Sequence, residues 1–201
     1  MAMANLFFLL FLFLHQAMAA SQQEAKDNSL QLTYIRDKCE VTLYPSICYQ
    51  SLNRYASNIQ EDPGRLATAA MALSLSRNSR LSSYLYNVSR QGGFGHDRLV
   101  PSAIHDCISN VEDATDEIKN SLQQMKVAAS SHVEDEFRFQ MSNVQTWMSS
   151  ALTDQETCTD SFEGVTDWSR KAEIFNNVNK VKKYTSNALA LVNNYARSKT
   201  A

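Results

Sequence analysis

The chain has 201 residues with 19 Lys and Arg against 21 Asp and Glu, a net charge of −2 that offers no bulk attraction for nucleic acid or for an anionic membrane surface. Gly (5) and Pro (3) are scarce, so few positions break regular structure, and an all-α protein is predicted.

Residues 1–20, MAMANLFFLLFLFLHQAMAA, hold an unbroken apolar run from Leu6 to Leu14, then small residues in an A-x-A arrangement at Ala17 and Ala19. This is the pattern of a cleaved signal peptide and predicts secretion. The run rises only about 1.5 Å per residue, well short of a ~30 Å hydrocarbon core, so no lasting membrane anchor is expected. Along the secretory route the even set Cys39, Cys48, Cys107 and Cys158 favours disulfides over free thiols, with three connectivities open. Asn87-Val88-Ser89 is the single N-x-S/T acceptor and predicts surface glycosylation at Asn87.

Residues 21–60 predict an N-terminal helical hairpin. Residues 24–37 are moderately amphipathic, and Cys39 and Cys48 enclose EVTLYPSI, in which Tyr44-Pro45 favours a turn. Residues 61–201 predict a four-helix bundle that forms one domain with the hairpin. The first long helix starts with Asp62 as N-cap and Pro63 at the first helical position, carries Leu66, Ala70, Leu73, Leu81, Tyr84, Leu85 and Val88, and stops at Gly92-Gly93. Its middle, Ser74 to Arg80, is polar. After Pro101, Ile104, Ile108, Val111, Thr115, Ile118, Leu122 and Met125 repeat at spacings of four and three, with only Thr115 polar. Ser131 and Glu134 have the spacing of a capping box. Phe137, Met141, Val144, Met148, Ala151, Gln155, Cys158 and Phe162 then form a third seam, broken only by Gln155 and ended by Gly164. The fourth comprises Ile174, Val178, Val181, Thr185, Ala188, Val192 and Tyr195.

Four helices, each roughly 40 Å long and joined by short connections, predict an antiparallel up-down-up-down bundle. In that topology Cys107, near the start of the second long helix, meets Cys158, near the end of the third. The expected disulfides are therefore Cys39–Cys48 and Cys107–Cys158.

His96, His105 and His132 stand at no metal-ligand spacing, and no metal or other cofactor is expected. Glu112, Asp113, Asp116 and Glu117 cluster as an acid–base pair would require. Glu112, Asp113 and Asp116, however, lie opposite the apolar seam, where acids are simply solvated and free to meet a protein partner. No G-x-S-x-G, Gly-rich phosphate loop or Cys/His nucleophile pairing occurs, so a non-enzymatic binding protein is expected.

Three motifs carry a resemblance. They are I-R-D-K-C-x8-C (Ile35 to Cys48), A-I-H-D-C-x5-D-A (Ala103 to Ala114) and W-M-S-S-A-L-T-D-Q-E-T-C-T-D-S-F (Trp147 to Phe162). Over essentially the whole mature chain the sequence resembles the plant invertase and pectin methylesterase inhibitor family. The resemblance implies an antiparallel four-helix bundle preceded by a hairpin, with the same two disulfides. It also implies a protein secreted to the apoplast and cell wall, monomeric when free, that inhibits a carbohydrate-acting enzyme in a non-covalent 1:1 complex.

The Thr157-Cys158 pair resembles the pectin methylesterase inhibitors, which cover the pectin-binding cleft of their enzyme, and a Pro-Lys-Phe motif associated with invertase inhibitors is absent. Asp113, Asp116 and Thr157 are the interface residues implied by match, with Ser109 and Glu112 as neighbours on the same acidic face. The family pattern D-C-x-E-x-Y departs here, with Ser109 and Val111 at its acidic and aromatic positions. Invertase is the alternative target, through the hairpin. A non-inhibitory bundle holding a small apolar ligand is the other alternative, and it would show an empty cavity between the seams.

Overall fold

The computed structural model describes residues 22–23, 26–92, 99–166 and 168–199; the expected signal peptide at 1–20, Gly93 and His96 lie outside them. Helix α1 spans 26–39, followed by α2 (Pro45–Leu52), a 3-10 turn (Asn53–Tyr55) and α3 (Ala56–Ile59). Four long helices follow: α4 (Pro63–Gln91), α5 (Leu99–Ser130), α6 (Glu134–Asp160) and α7 (Trp168–Lys199). Among the described residues there is no strand.

A disulfide between Cys39 and Cys48 clips the hairpin. Its loop is tied down twice more. Thr42 Oγ1 donates to Cys39 O at 2.7 Å, and the Asn187 amide of α7 brackets Tyr44, accepting from its N–H at 3.1 Å and donating to its carbonyl at 3.0 Å. Pro45 then starts α2, where its missing N–H is no loss.

Asp62 caps α4 as the sequence predicts, accepting from Arg65 N–H at 2.7 Å, and the helix stops at Gly92 with φ 60°. At Gly64 a Cβ would lie 3.0 Å from Tyr195 Cζ, so a glycine lets the start of α4 approach α7 closely. The capping box at Ser131 does not form. Helix α6 begins at Glu134 with Val133 as N-cap, and Ser131 Oγ instead accepts from Val133 N–H at 3.3 Å, so the hydroxyl is spent on the tight turn before the helix. Helix α6 also ends at Asp160, earlier than the seam implies; Phe162 is buried from the following turn, which closes at Gly164 with φ 83°.

The long helices form a closed ring in which α4 packs on α5 and α7, and α6 packs on the same two. Every neighbouring pair is antiparallel, as the contacts Tyr86 to Glu112, Cys107 to Cys158, Phe137 to Tyr195 and Ser74 to Thr185 require. The core has two apolar halves. One joins the hairpin (Ile35, Leu52, Ile59) to Leu66, Met71, Ile118, Met141 and Val192. The other gathers Leu85, Ile104, Val111, Cys158, Phe162 and Val178 at the opposite end.

Between the halves lies a polar layer. Asn78 Nδ2 donates to Val111 O and to Thr115 Oγ1, both at 2.8 Å, while its Oδ1 accepts from Gln155 Nε2 at 2.9 Å. Ser74 and Thr185 share a hydroxyl hydrogen bond of 2.8 Å. The polar residues that interrupt the four seams therefore bond to one another in the middle of the bundle, leaving Gln155 Oε1 without a partner, and these bonds fix the register of the helices.

Candidate functional site

Helices α5 and α6 present the wall on which the sequence places its candidates. The Cys107–Cys158 disulfide joins the start of α5 to the end of α6, and both sulfurs are fully buried. Cys107 and Cys158 thus hold the inner faces of the two helices together while their outer faces remain exposed.

Ser109, Glu112, Asp113 and Asp116 are all exposed on α5, and Thr157 is exposed on α6 beside buried Cys158. The Thr157 hydroxyl donates to Thr153 O at 3.0 Å, and its carbonyl accepts from Ser161 N–H at 3.0 Å. That fixes the side chain and leaves the hydroxyl lone pairs toward solvent.

The acids of α5 fan apart. Glu112 leans to α4 and accepts from Tyr86 O–H at 2.6 Å, a bond that pushes the Tyr86 phenol pKa up. Asp116 accepts from Lys119 Nζ at 2.9 Å on the open surface. Asp113 stands one turn before Glu117, close enough for its charge to raise the Glu117 pKa. Glu112 is thus tied to the α4 edge, while on the other side Glu117 meets Asp154 of α6, one turn before Thr157.

Glu117, which the sequence places in the acidic cluster but not among the expected interface residues, has the most perturbed environment of the four acids. It is half-buried against α6, and its pKa is pushed up to about 7, first by burial and then by the Asp154 and Asp113 carboxylates, with the Ser150 hydroxyl opposing. Adjacency to the seam does not single it out, since Glu112 follows Val111 and Asp116 follows Thr115 as closely as Glu117 precedes Ile118; the packing of α6 does.

The wall as a whole is acidic. Helix α5 carries five carboxylates and α6 six, against only three cations, Lys119, Lys126 and Arg138. No group of His, Cys, Asp and Glu among the described residues is placed to hold a metal ion, and His105 and His132 are exposed. Buried side chains occupy the seam positions between the helices. Asn87 is exposed on α4, accepting from the Arg90 guanidinium. Among the described residues no helix is long and apolar enough to cross a membrane.

Residues 33–191 match the family model described as plant invertase/pectin methylesterase inhibitor. The chain belongs to this family. It is 41% identical over 164 residues to the "21 kDa protein" of Daucus carota, covering 81% of this chain and 83% of that one. It is 33% identical over 199 residues to Pectinesterase inhibitor 11 of Arabidopsis thaliana, covering 96% of this chain and 98% of that one. The fold is similar to the crystal structure of mutant form A of a pectin methylesterase inhibitor from Arabidopsis, with a TM-score of 0.60 at 19% identity over 77% of this chain and 92% of that one. Membership of a family described as inhibitors agrees with a wall that offers charge and rigidity.

Proposed function

We propose that this member of the family is secreted to the plant cell wall and inhibits pectin methylesterase there, forming a non-covalent 1:1 complex in which the α5–α6 wall covers the pectin-binding cleft. In this reading residues 1–20 are removed on export, residues 21–60 and 61–201 act as one inhibitor domain, the free protein is a monomer, and Asn87 carries any glycan on the exposed face of α4. The observation that carries the reading is the acidic, disulfide-pinned α5–α6 wall in a chain whose near full-length relatives include Pectinesterase inhibitor 11.

No covalent step is needed, because a polymeric substrate is excluded once its cleft is filled. Rigidity matters more than chemistry. A wall held by Cys107–Cys158 loses little conformational freedom on docking, so more of its contact energy appears as affinity. Asp113, Asp116 and Thr157 form the contact, with Ser109 and Glu112 at its margin, and the excess of carboxylates speeds encounter with a cationic rim. Titration of the purified protein against a plant pectin methylesterase and an invertase in parallel tests the reading. It predicts loss of esterase activity with an end point near equimolar and untouched invertase. Inhibition of invertase alone would refute it. That second target would be reached through the hairpin, whose loop exposes Val41 and Leu43.

A further inference from the structure

The wall opposite the acidic one has the reverse charge. Helix α4 carries four arginines (Arg65, Arg77, Arg80, Arg90) and no acid, and α7 carries seven lysines and arginines against one carboxylate, Glu173. Between these helices lies a surface groove of about 320 Å³ whose walls include Arg77, Arg80, Lys180 and Lys183 together with the rings of Tyr84 and Tyr184.

None of those four cations forms an ion pair with a carboxylate among the described residues. Two are held by aromatic rings instead. The Arg77 guanidinium lies 4.9 Å from the Tyr184 ring centroid, and Lys183 Nζ lies 5.4 Å from that of Tyr44. Positive charge is thus gathered at a concave site where four cations face a single nearby carboxylate, Glu173 beside the Tyr84 hydroxyl, an excess that favours entry of an anion.

We infer that this groove binds a chain of uronic acid sugars, the de-esterified form of pectin. Each sugar offers an apolar C–H face for a tyrosine ring and a carboxylate for a cation, and both kinds of group line the groove, Tyr84 and the Arg77-covered Tyr184 beside Arg80, Lys180 and Lys183. A small inorganic anion would use the cations but leave the rings idle. The choice of uronate over other anionic sugars rests on the proposed esterase target, whereas the groove itself does not. The protein would then hold the product polymer on α4 and α7 while its α5–α6 wall meets the enzyme, which keeps the inhibitor where de-esterification has occurred.

The test needs no enzyme. Binding of an oligogalacturonate and of its fully methyl-esterified counterpart is measured by titration calorimetry at about 0.15 M salt, where exposed charges more than ~8 Å apart are screened. The free acid should bind saturably and the ester should not. Replacing two charge-assisted contacts through Arg80→Glu with Lys180→Glu should weaken binding by about tenfold or more. The same charge change outside the groove, Arg65→Glu with Lys199→Glu, should alter it by less than about twofold. The far-UV circular dichroism spectrum and thermal midpoint of the Arg80→Glu, Lys180→Glu variant should match those of the native protein, which shows that it folds. Absence of binding, equal binding of the ester, equal binding of poly-glutamate, or equal losses in the two double variants would overturn the inference. None of these results bears on whether the opposite wall inhibits the esterase.

Discussion

Asn78 uses both ends of its amide, donating to α5 and accepting from α6, and so joins three helices at one level. Asn78→Leu would leave Gln155 Nε2 buried without an acceptor and should lower stability by about 2 to 3 kcal/mol in urea unfolding. Ser74 and Thr185 behave differently, because they satisfy chiefly each other. Ser74→Ala alone should cost about 1 kcal/mol or more, whereas Ser74→Ala with Thr185→Val should recover most of it, a coupling a double-mutant cycle reads directly. Glu117 adds a pH term. Its folded pKa of about 7 lies above its ordinary 4.5, so the native state holds the proton more tightly than the unfolded chain. Its effect is therefore least harmful below pH 4.5, and stability falls as pH rises from there to about 7. Glu117→Gln should flatten that part of the stability–pH curve; a slope unchanged by the substitution would show that Glu117 is not its source. The interruptions Thr115, Gln155 and Thr185 were legible in the sequence as breaks in apolar seams. Their pairing was not, because it depends on helix register, which periodicity leaves undetermined.

At the scale of elements, the spacing of apolar residues located all four long helices, and Asp62-Pro63 and Gly92 marked both ends of α4. Helix ends governed by loop conformation were less legible. Ser131 has the spacing of a capping box, yet the turn before α6 takes its hydroxyl, and Phe162 continues the third seam in register although the helix has already ended. The disulfides secure these ends unequally. Cys107–Cys158 spans 51 positions and Cys39–Cys48 only 9. On loop-closure entropy, removal should cost about 4 kcal/mol for the first and about 2.5 for the second. Thermal unfolding of the Cys107→Ala, Cys158→Ala and the Cys39→Ala, Cys48→Ala proteins should show the larger fall in Tm for the long-range pair, and the reverse order would show that the hairpin clip has the greater structural role.

At the scale of the whole molecule, a net charge near zero conceals two opposed walls, acidic on α5 and α6 and basic on α4 and α7. The components are visible in the sequence, since no acid occurs between Pro63 and Gln91. They become surfaces only once the ring order places α4 beside α7 and α5 beside α6. The candidate contact residues were equally visible as an exposed acidic stretch, but the tie of Glu112 to α4, and the half-buried Glu117 between the helices, required the packed structure. The α5–α6 wall as an inhibitory surface is tested most directly by titrating pectin methylesterase with the native protein and with Thr157→Trp, a substitution that adds bulk at an exposed position and leaves the buried seam intact. The native protein should inhibit with an end point near one per enzyme, and Thr157→Trp should inhibit at least about tenfold more weakly through loss of fit at the centre of the contact. Undiminished inhibition by Thr157→Trp would contradict the assignment of this wall.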